Sequence, residues 1–140
     1  MSLDPIRGRC FCGEITFALT PPTESFTHCH CESCRRSHGA AFVSWTSVGG
    51  ERFRCEDLGG NLRGYESSPD IIWQFCGRCG APLFQTTHYS PGIVYIVAAA
   101  LIDPLDRPAE SHVSWEERVH WLEVQDALPK RREKTSDRIG

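Results

Sequence analysis

Residues 76–80 read CGRCG, two cysteines three positions apart with a glycine after each. Glycine accepts the backbone conformations of a tight reversal, so this spacing lets the thiols of Cys76 and Cys79 converge on one ion. A second pair stands far upstream in GRCFCGEITF, residues 8–17, where Cys10 and Cys12 flank Phe11. In extended backbone alternate residues face the same way, so this C-x-C is expected to present two thiolates side by side. The two pairs make four sulfur ligands, the set of a closed structural zinc site with bonds of about 2.3 Å. Such a site would tie the first strand to a hairpin around residues 72 to 84, closing a long loop that packing alone closes at some cost. A redox role for Cys76-x-x-Cys79 calls for a βαβ context, which the flanking sequence does not offer.

A third group lies in HCHCESCRRSHGAAF, residues 28–42. Cys29, Cys31 and Cys34 give three ligands, and three protein ligands with an open fourth position is the pattern of a catalytic zinc. Three thiolates on Zn²⁺ leave a net charge near −1, a poor activator of water but a good holder of a fourth, exogenous thiolate that stays nucleophilic. Arg35 and Arg36 are candidates to offset that charge or to grip a carboxylate of an incoming ligand. His38 or His28 would instead complete the shell and make a second structural site. His30 points away from Cys29 and Cys31 if the segment is extended. Cys55, after RFR on a short strand, reads as a packing residue.

The chain has 140 residues, 40% of them hydrophobic, enough for one compact domain. That domain is expected over residues 1–128, with a basic, disordered tail over 129–140. The net charge is −3, yet the last eleven residues hold five basic and two acidic side chains, which leaves an acidic body. An acidic body argues against a nucleic-acid binder. The opening MSLDPIRGRC has no apolar core of signal-peptide length, and no segment approaches the roughly 20 apolar residues of a membrane span. A cytoplasmic location follows as the expectation. Thiols stay reduced there, so eight cysteines are read as metal ligands or catalytic groups rather than a disulfide framework.

Short apolar runs and frequent punctuation give a mostly β chain. EITFAL, residues 14–19, alternates Ile15, Phe17 and Leu19 on one face and stops at Pro21-Pro22. Further strands are expected in AAFVSWTSV, ERFRC, LRGYES and IIWQF, each bounded by glycine, proline or the Cys76 turn. GIVYIVAAALI, residues 92–102, reads as a buried strand, with a short helix left open by its periodicity, and WEERVHWLEV, residues 115–124, as a turn of helix or another strand. No amphipathic helix is expected before it. Trp45, Trp73, Trp115 and Trp121 are either core residues or the walls of a cleft.

The succession GRCFCGEITF, CHCESCRRSHGAAF, FCGRCGAPLF, AAALIDP and SHVSWEERVHWLEV resembles the glutathione-dependent formaldehyde-activating enzyme family, the group that also includes centromere protein V. The resemblance runs to about Leu128. It implies a β-tent of short antiparallel sheets stapled by zinc, with two Zn²⁺ per chain: a structural ion on Cys10, Cys12, Cys76 and Cys79, and a catalytic ion on Cys29, Cys31 and Cys34. It also implies a carbon-sulfur lyase that joins a small thiol such as glutathione reversibly to formaldehyde or another small aldehyde. The thiol would enter as thiolate, attack the carbonyl and leave as a hemithioacetal. His112 and Trp121 match positions that recur near the family's C-terminal end. Fold analogy leaves two other classes open: a non-catalytic interaction module with two closed zinc sites, and a methionine sulfoxide reductase B-like enzyme, for which Cys55 is the candidate thiol.

Overall fold

The computed structural model describes residues 4–132. Its strands are β1 (Ile6–Arg9), β2 (Thr16–Leu19), β3 (Ser25–Cys29), β4 (Val43–Gly49), β5 (Phe53–Glu56), β6 (Leu62–Ser68), β7 (Ile71–Cys76), β8 (Pro82–Thr87), β9 (Ile93–Val97) and β10 (Ser111–Val113); helix α1 (Glu32–His38) lies between β3 and β4. They form a three-stranded sheet in the order β1-β2-β5 and a seven-stranded sheet in the order β10-β3-β4-β9-β8-β7-β6. The fold is mostly β, as the sequence indicates. Pairing is antiparallel except at one edge, where β10 runs parallel to β3.

Strand pleating separates two cores, one on each face of the large sheet. Val48, Ile96 and Cys76 face the small sheet and pack with Ile6, Ile15, Phe17 and Leu19. On the other face Val43, Trp45, Tyr95, Ile71 and Trp73 pack with Cys29, Cys31 and Cys34. A register shift between Gln74 and Phe75 leaves Leu83 of β8 without a partner on β7. Such a bulge lets sequence neighbours share a face. Leu83 and Phe84 both enter the first core.

Several expectations are corrected. Only Ile93–Val97 of the run 92–102 is strand; Ala98–Ala100 form a 3₁₀ turn that turns the chain back toward β1, where Ile102 N–H donates to the Arg7 carbonyl at 2.7 Å. Cys10-x-Cys12 is a turn, not extended backbone, with Gly13 at φ 84° completing the reversal. Helix α1 was not expected, because seven residues give too little periodicity to read. Its caps explain it. The Cys31 side chain accepts from Cys34 N–H, Glu117 Oε1 accepts from Glu32 N–H at 2.8 Å, and Gly39 in the left-handed region (φ 61°) closes the end. WEERVHWLEV supplies a single 3₁₀ turn, Trp115–Glu117.

Residues 133–140, most of the expected basic tail, lie outside the described residues. Just before them the chain runs beside β10: His112 N–H donates to the Pro129 carbonyl at 2.9 Å and Arg131 N–H to the His112 carbonyl at 2.8 Å.

Gly8 sits opposite Phe17 in the β1–β2 register, and a Cβ there would run into the Phe17 ring. Gly8→Ala is expected to lose about 1 to 3 kcal/mol, the usual range for overpacking, read as a lower urea midpoint at unchanged slope.

Candidate metal centres

The first centre gathers residues from two distant places. Cys10 and Cys12 come from the turn after β1, Cys76 ends β7, and Cys79 closes the following turn; all four Sγ atoms lie within 4.8 Å of one another. Gly77 is needed because its backbone runs against the β6 edge, where an added Cβ would sit 2.9 Å from the Asn61 carbonyl oxygen and 2.8 Å from Arg63 Cγ. Gly80 adopts φ 82°. Cys10 Sγ and Cys12 Sγ are 3.6 Å apart, and Cys12 Sγ and Cys76 Sγ 3.8 Å. A tetrahedron with zinc–sulfur bonds of about 2.3 Å has edges of about 3.8 Å, so the donor set fits zinc in type, number and spacing.

Backbone N–H groups aim at these sulfurs, from Ile15 to Cys10 at 3.4 Å and from Cys79 to Cys76 at 3.5 Å. Burial pushes the Cys76 thiol up to about 11. At Cys79 burial acts in the same upward sense, but hydrogen bonds from the backbone at Ala81 and Cys12 and from the thiols of Cys76 and Cys12 bring it down to about 6. The Glu14 backbone, with help from Arg78, lowers Cys12. Cys12 and Cys79 are thus shifted toward the thiolate and Cys76 away from it.

The second centre is built by the end of β3 and the start of α1. Cys29, Cys31 and Cys34 place their sulfurs within 4.8 Å of one another, and no fourth His, Cys, Asp or Glu joins them among the described residues. Their exposures are 0%, 3% and 0%. Hydrogen bonding to Cys31 raises the Cys29 thiol to about 12, and bonding to Cys29 raises the Cys34 thiol well above its ordinary value. In each other's company the thiols of Cys29 and Cys34 are thus shifted toward the protonated form. Trp45 Nε1–H donates to Cys34 Sγ at 3.3 Å, and Cys34 N–H to Cys31 Sγ at 3.3 Å. These two donors favour sulfurs that carry negative charge.

The histidines are placed elsewhere. His28 Nδ1 meets Ser44 Oγ at 2.7 Å. His38 Nδ1–H donates to the Cys34 carbonyl at 3.0 Å, leaving Nε2 buried without a partner; burial lowers the pKa of this ring. His30 is fully buried and points away from its cysteine neighbours into a chain that the sequence did not disclose. Asp126 Oδ2 accepts from His112 Nε2–H at 2.8 Å, so His112 Nδ1 accepts from His30 Nε2–H at 2.8 Å. Burial and the nearby His112 bring His30 down to about 4, so its ring is neutral. His112 pins the last strand and the segment after it to the loop that holds Cys29 and Cys31. The partner, Asp126, lies 14 residues beyond His112 in irregular chain, where no motif marks it.

Arg35 is half-buried and its Nε has no partner; Arg36 is exposed and its Nε donates to Glu32 Oε2 at 2.7 Å. Both stand on α1 directly after Cys34. Cys55 packs half-buried against the first core. Trp45 and Trp73 are core residues, whereas Trp121 is 66% exposed and belongs to neither core.

A mostly β domain whose large sheet carries a four-thiol cluster on one face and a three-thiol cluster on the other defines the class: a cysteine-rich fold with two clusters that could each hold a metal ion. The model of the family described as "Glutathione-dependent formaldehyde-activating enzyme" matches residues 5–118, and the chain belongs to that family. A Halomonas elongata protein described as "Putative glutathione-dependent formaldehyde-activating enzyme" is 25% identical over 127 residues, which cover 86% of this chain and 81% of the relative. A crystal structure of a Rhodobacter sphaeroides protein shares the fold with a TM-score of 0.59 at 22% identity, over 73% of this chain and 93% of that one.

Two variants separate the clusters. Cys76→Ser is expected to lower the melting temperature by about 10 °C or more, since metal-binding energy at a closed site is folding energy. Cys31→Ser is a cleaner lesion, because serine keeps the helix cap that Cys31 provides. It is expected to melt close to wild type with about one zinc fewer per chain by elemental analysis. An unfolded Cys31→Ser protein would show that both clusters are structural.

Proposed function

We propose that this chain is a carbon-sulfur lyase that uses two Zn²⁺ ions, one structural and one catalytic, to add a small thiol reversibly to formaldehyde or another small aldehyde. Glutathione is the reference thiol, and the cytoplasm is the compartment that keeps eight thiols free. The observation that carries the reading is the difference between the clusters: four convergent thiols in one, three without a fourth protein donor in the other. Zinc on Cys29, Cys31 and Cys34 would supply an electrophilic centre that keeps an incoming thiol deprotonated at neutral pH.

The reaction balances without an oxidant. The thiol S–H bond and the carbonyl π bond break, and a C–S and an O–H bond form. The chain's own contribution is positional. Trp45 N–H and the Cys34 backbone N–H hold charge on the cysteine sulfurs, the hydrophobic second core excludes water, and Arg35 and Arg36 offer guanidinium groups to a carboxylate of the thiol.

The full burial of all three thiols favours a second reading, a non-catalytic interaction module in which both zinc sites are closed. Thiol titration of cobalt-substituted protein distinguishes the two. The enzyme reading expects two metals per chain and a change in the sulfur-to-cobalt charge-transfer band of one of them on adding glutathione. No change with any thiol at full metal loading would favour the module.

If a carboxylate of the thiol is gripped, Arg35→Ala weakens glutathione by about 1.5 to 3 kcal/mol, the range for a hydrogen bond to a charged group. The exposed Arg36 contributes less, about 1 kcal/mol at most. An uncharged thiol should lose nothing in calorimetric titration. Equal losses for both thiols would leave the arginines a role only in balancing the charge of the cluster.

A further inference from the structure

A cavity of about 490 Å³ opens between the outer face of α1 and the β6–β7 hairpin. Its floor and far wall are aromatic. Tyr65 pairs across the strands with Trp73, and Phe75 lies two residues on, so the pleat sets all three toward the helix. Arg36 and Ser37 form the helical wall and Ser67 one end. The groove shares a side with the three-thiol cluster: Ser37 Oγ donates to the Cys34 carbonyl at 3.2 Å, and Trp73 packs 6.3 Å from Trp45, whose indole N–H holds Cys34 Sγ.

Along the floor and one end of this groove the polar groups are already engaged. Trp73 Nε1–H donates to Ser67 Oγ at 2.8 Å, and the Ser37 hydroxyl is engaged as above. A peptide backbone buried here would leave amides unpaired, and formaldehyde, with two heavy atoms, would leave the volume almost empty. A flat apolar group needs no partners and gains stacking area on three rings. At the rim Arg36 uses Nε for Glu32, an exposed pair of small worth, and its planar fork has further donors for a carboxylate.

We propose that this groove binds an aryl or comparably bulky apolar substituent, ending in a carboxylate at Arg36, carried by the thiol or by the aldehyde that the neighbouring cluster joins. The proposal rests on the thiol–aldehyde reading and names its substrate class. Tyr65, 64% exposed on an otherwise exposed edge strand, is a specificity residue that closes over the ring.

The test uses the zinc-loaded full chain and calorimetric titration. In one arm benzyl mercaptan and its 4-carboxy derivative are compared with methanethiol; in the other benzaldehyde and 4-carboxybenzaldehyde are compared with acetaldehyde. The aryl compounds of one arm are expected to bind about tenfold tighter than their methyl counterpart, which identifies the substrate that carries the ring. Tyr65→Ala should remove most of that preference, and Arg36→Ala should cost the carboxylates about fivefold while sparing the neutral rings. Equal binding of aryl and methyl compounds in both arms, or a preference that survives Tyr65→Ala, overturns the proposal. The probe 4-methylbenzoate, which has neither reactive group, keeps two failures apart. Tyr65-dependent binding of this probe supports the groove whatever the cobalt spectrum shows, and failure to bind overturns it while leaving the cluster reading to the cobalt experiment.

Discussion

The structure depends on one constraint, the convergence of four sulfurs supplied from places 64 residues apart. Cys12 and Cys76 reach 3.8 Å, and to do so the turn after β1 must lie against the end of β7. That contact packs the three-stranded sheet on the seven-stranded one and encloses Phe17, Phe53 and Phe84 edge to face. The small sheet has only four-residue strands, too short to hold a core by pairing alone. The convergent four-thiol set could compensate, because a metal ion bound there would stabilise the folded chain directly.

The second cluster sits under a different regime. Its three residues fall within six positions, so no long loop is closed by bringing them together, and packing around Trp45 and Trp73 already orders them. The helix that carries Cys34 is held from outside by Glu117 and from below by the tryptophans. The fold therefore does not need this cluster for closure, and in the proposed reading that is what would leave it free to exchange a ligand while the first cluster stays structural.

Much of this was legible in the residues. The alternation of Ile15, Phe17 and Leu19 placed β2, and glycine spacing in CGRCG placed the first centre's second pair. The three-thiol cluster and each pair of the four-thiol cluster were readable because spacing within a segment is local information, whereas the joining of the two pairs is a long-range contact. What escaped was set by tertiary contact. Residues 25–29 read SFTHC, without a clean alternation, and become a strand because β4 and β10 flank them. Helix α1 exists through caps supplied by Cys31 and by Glu117, 85 residues from the amide it accepts. The extended C-x-C failed because Gly13 permits a turn that brings the sulfurs together more directly than a pleat does. The chain from His30 through His112 to Asp126 joins three polar residues whose proximity no sequence pattern encodes.

One strand links the two centres. In β7 Cys76 faces the first core, while Trp73 packs into the second and, with Phe75, forms the floor of the groove beside α1. A period of two makes both assignments follow from a single register, and a slip of one residue would turn the sulfur out of its cluster and the rings out of their groove together. The bulge against β8 lies between these positions, at Gln74 and Phe75. By leaving Leu83 unpaired there, it lets Leu83 and Phe84 fill the first core without disturbing the alternation on β7. The cluster cysteine at the end of the strand and the rings of the groove therefore share one register, and the irregularity needed to pack the core is carried by the neighbouring strand.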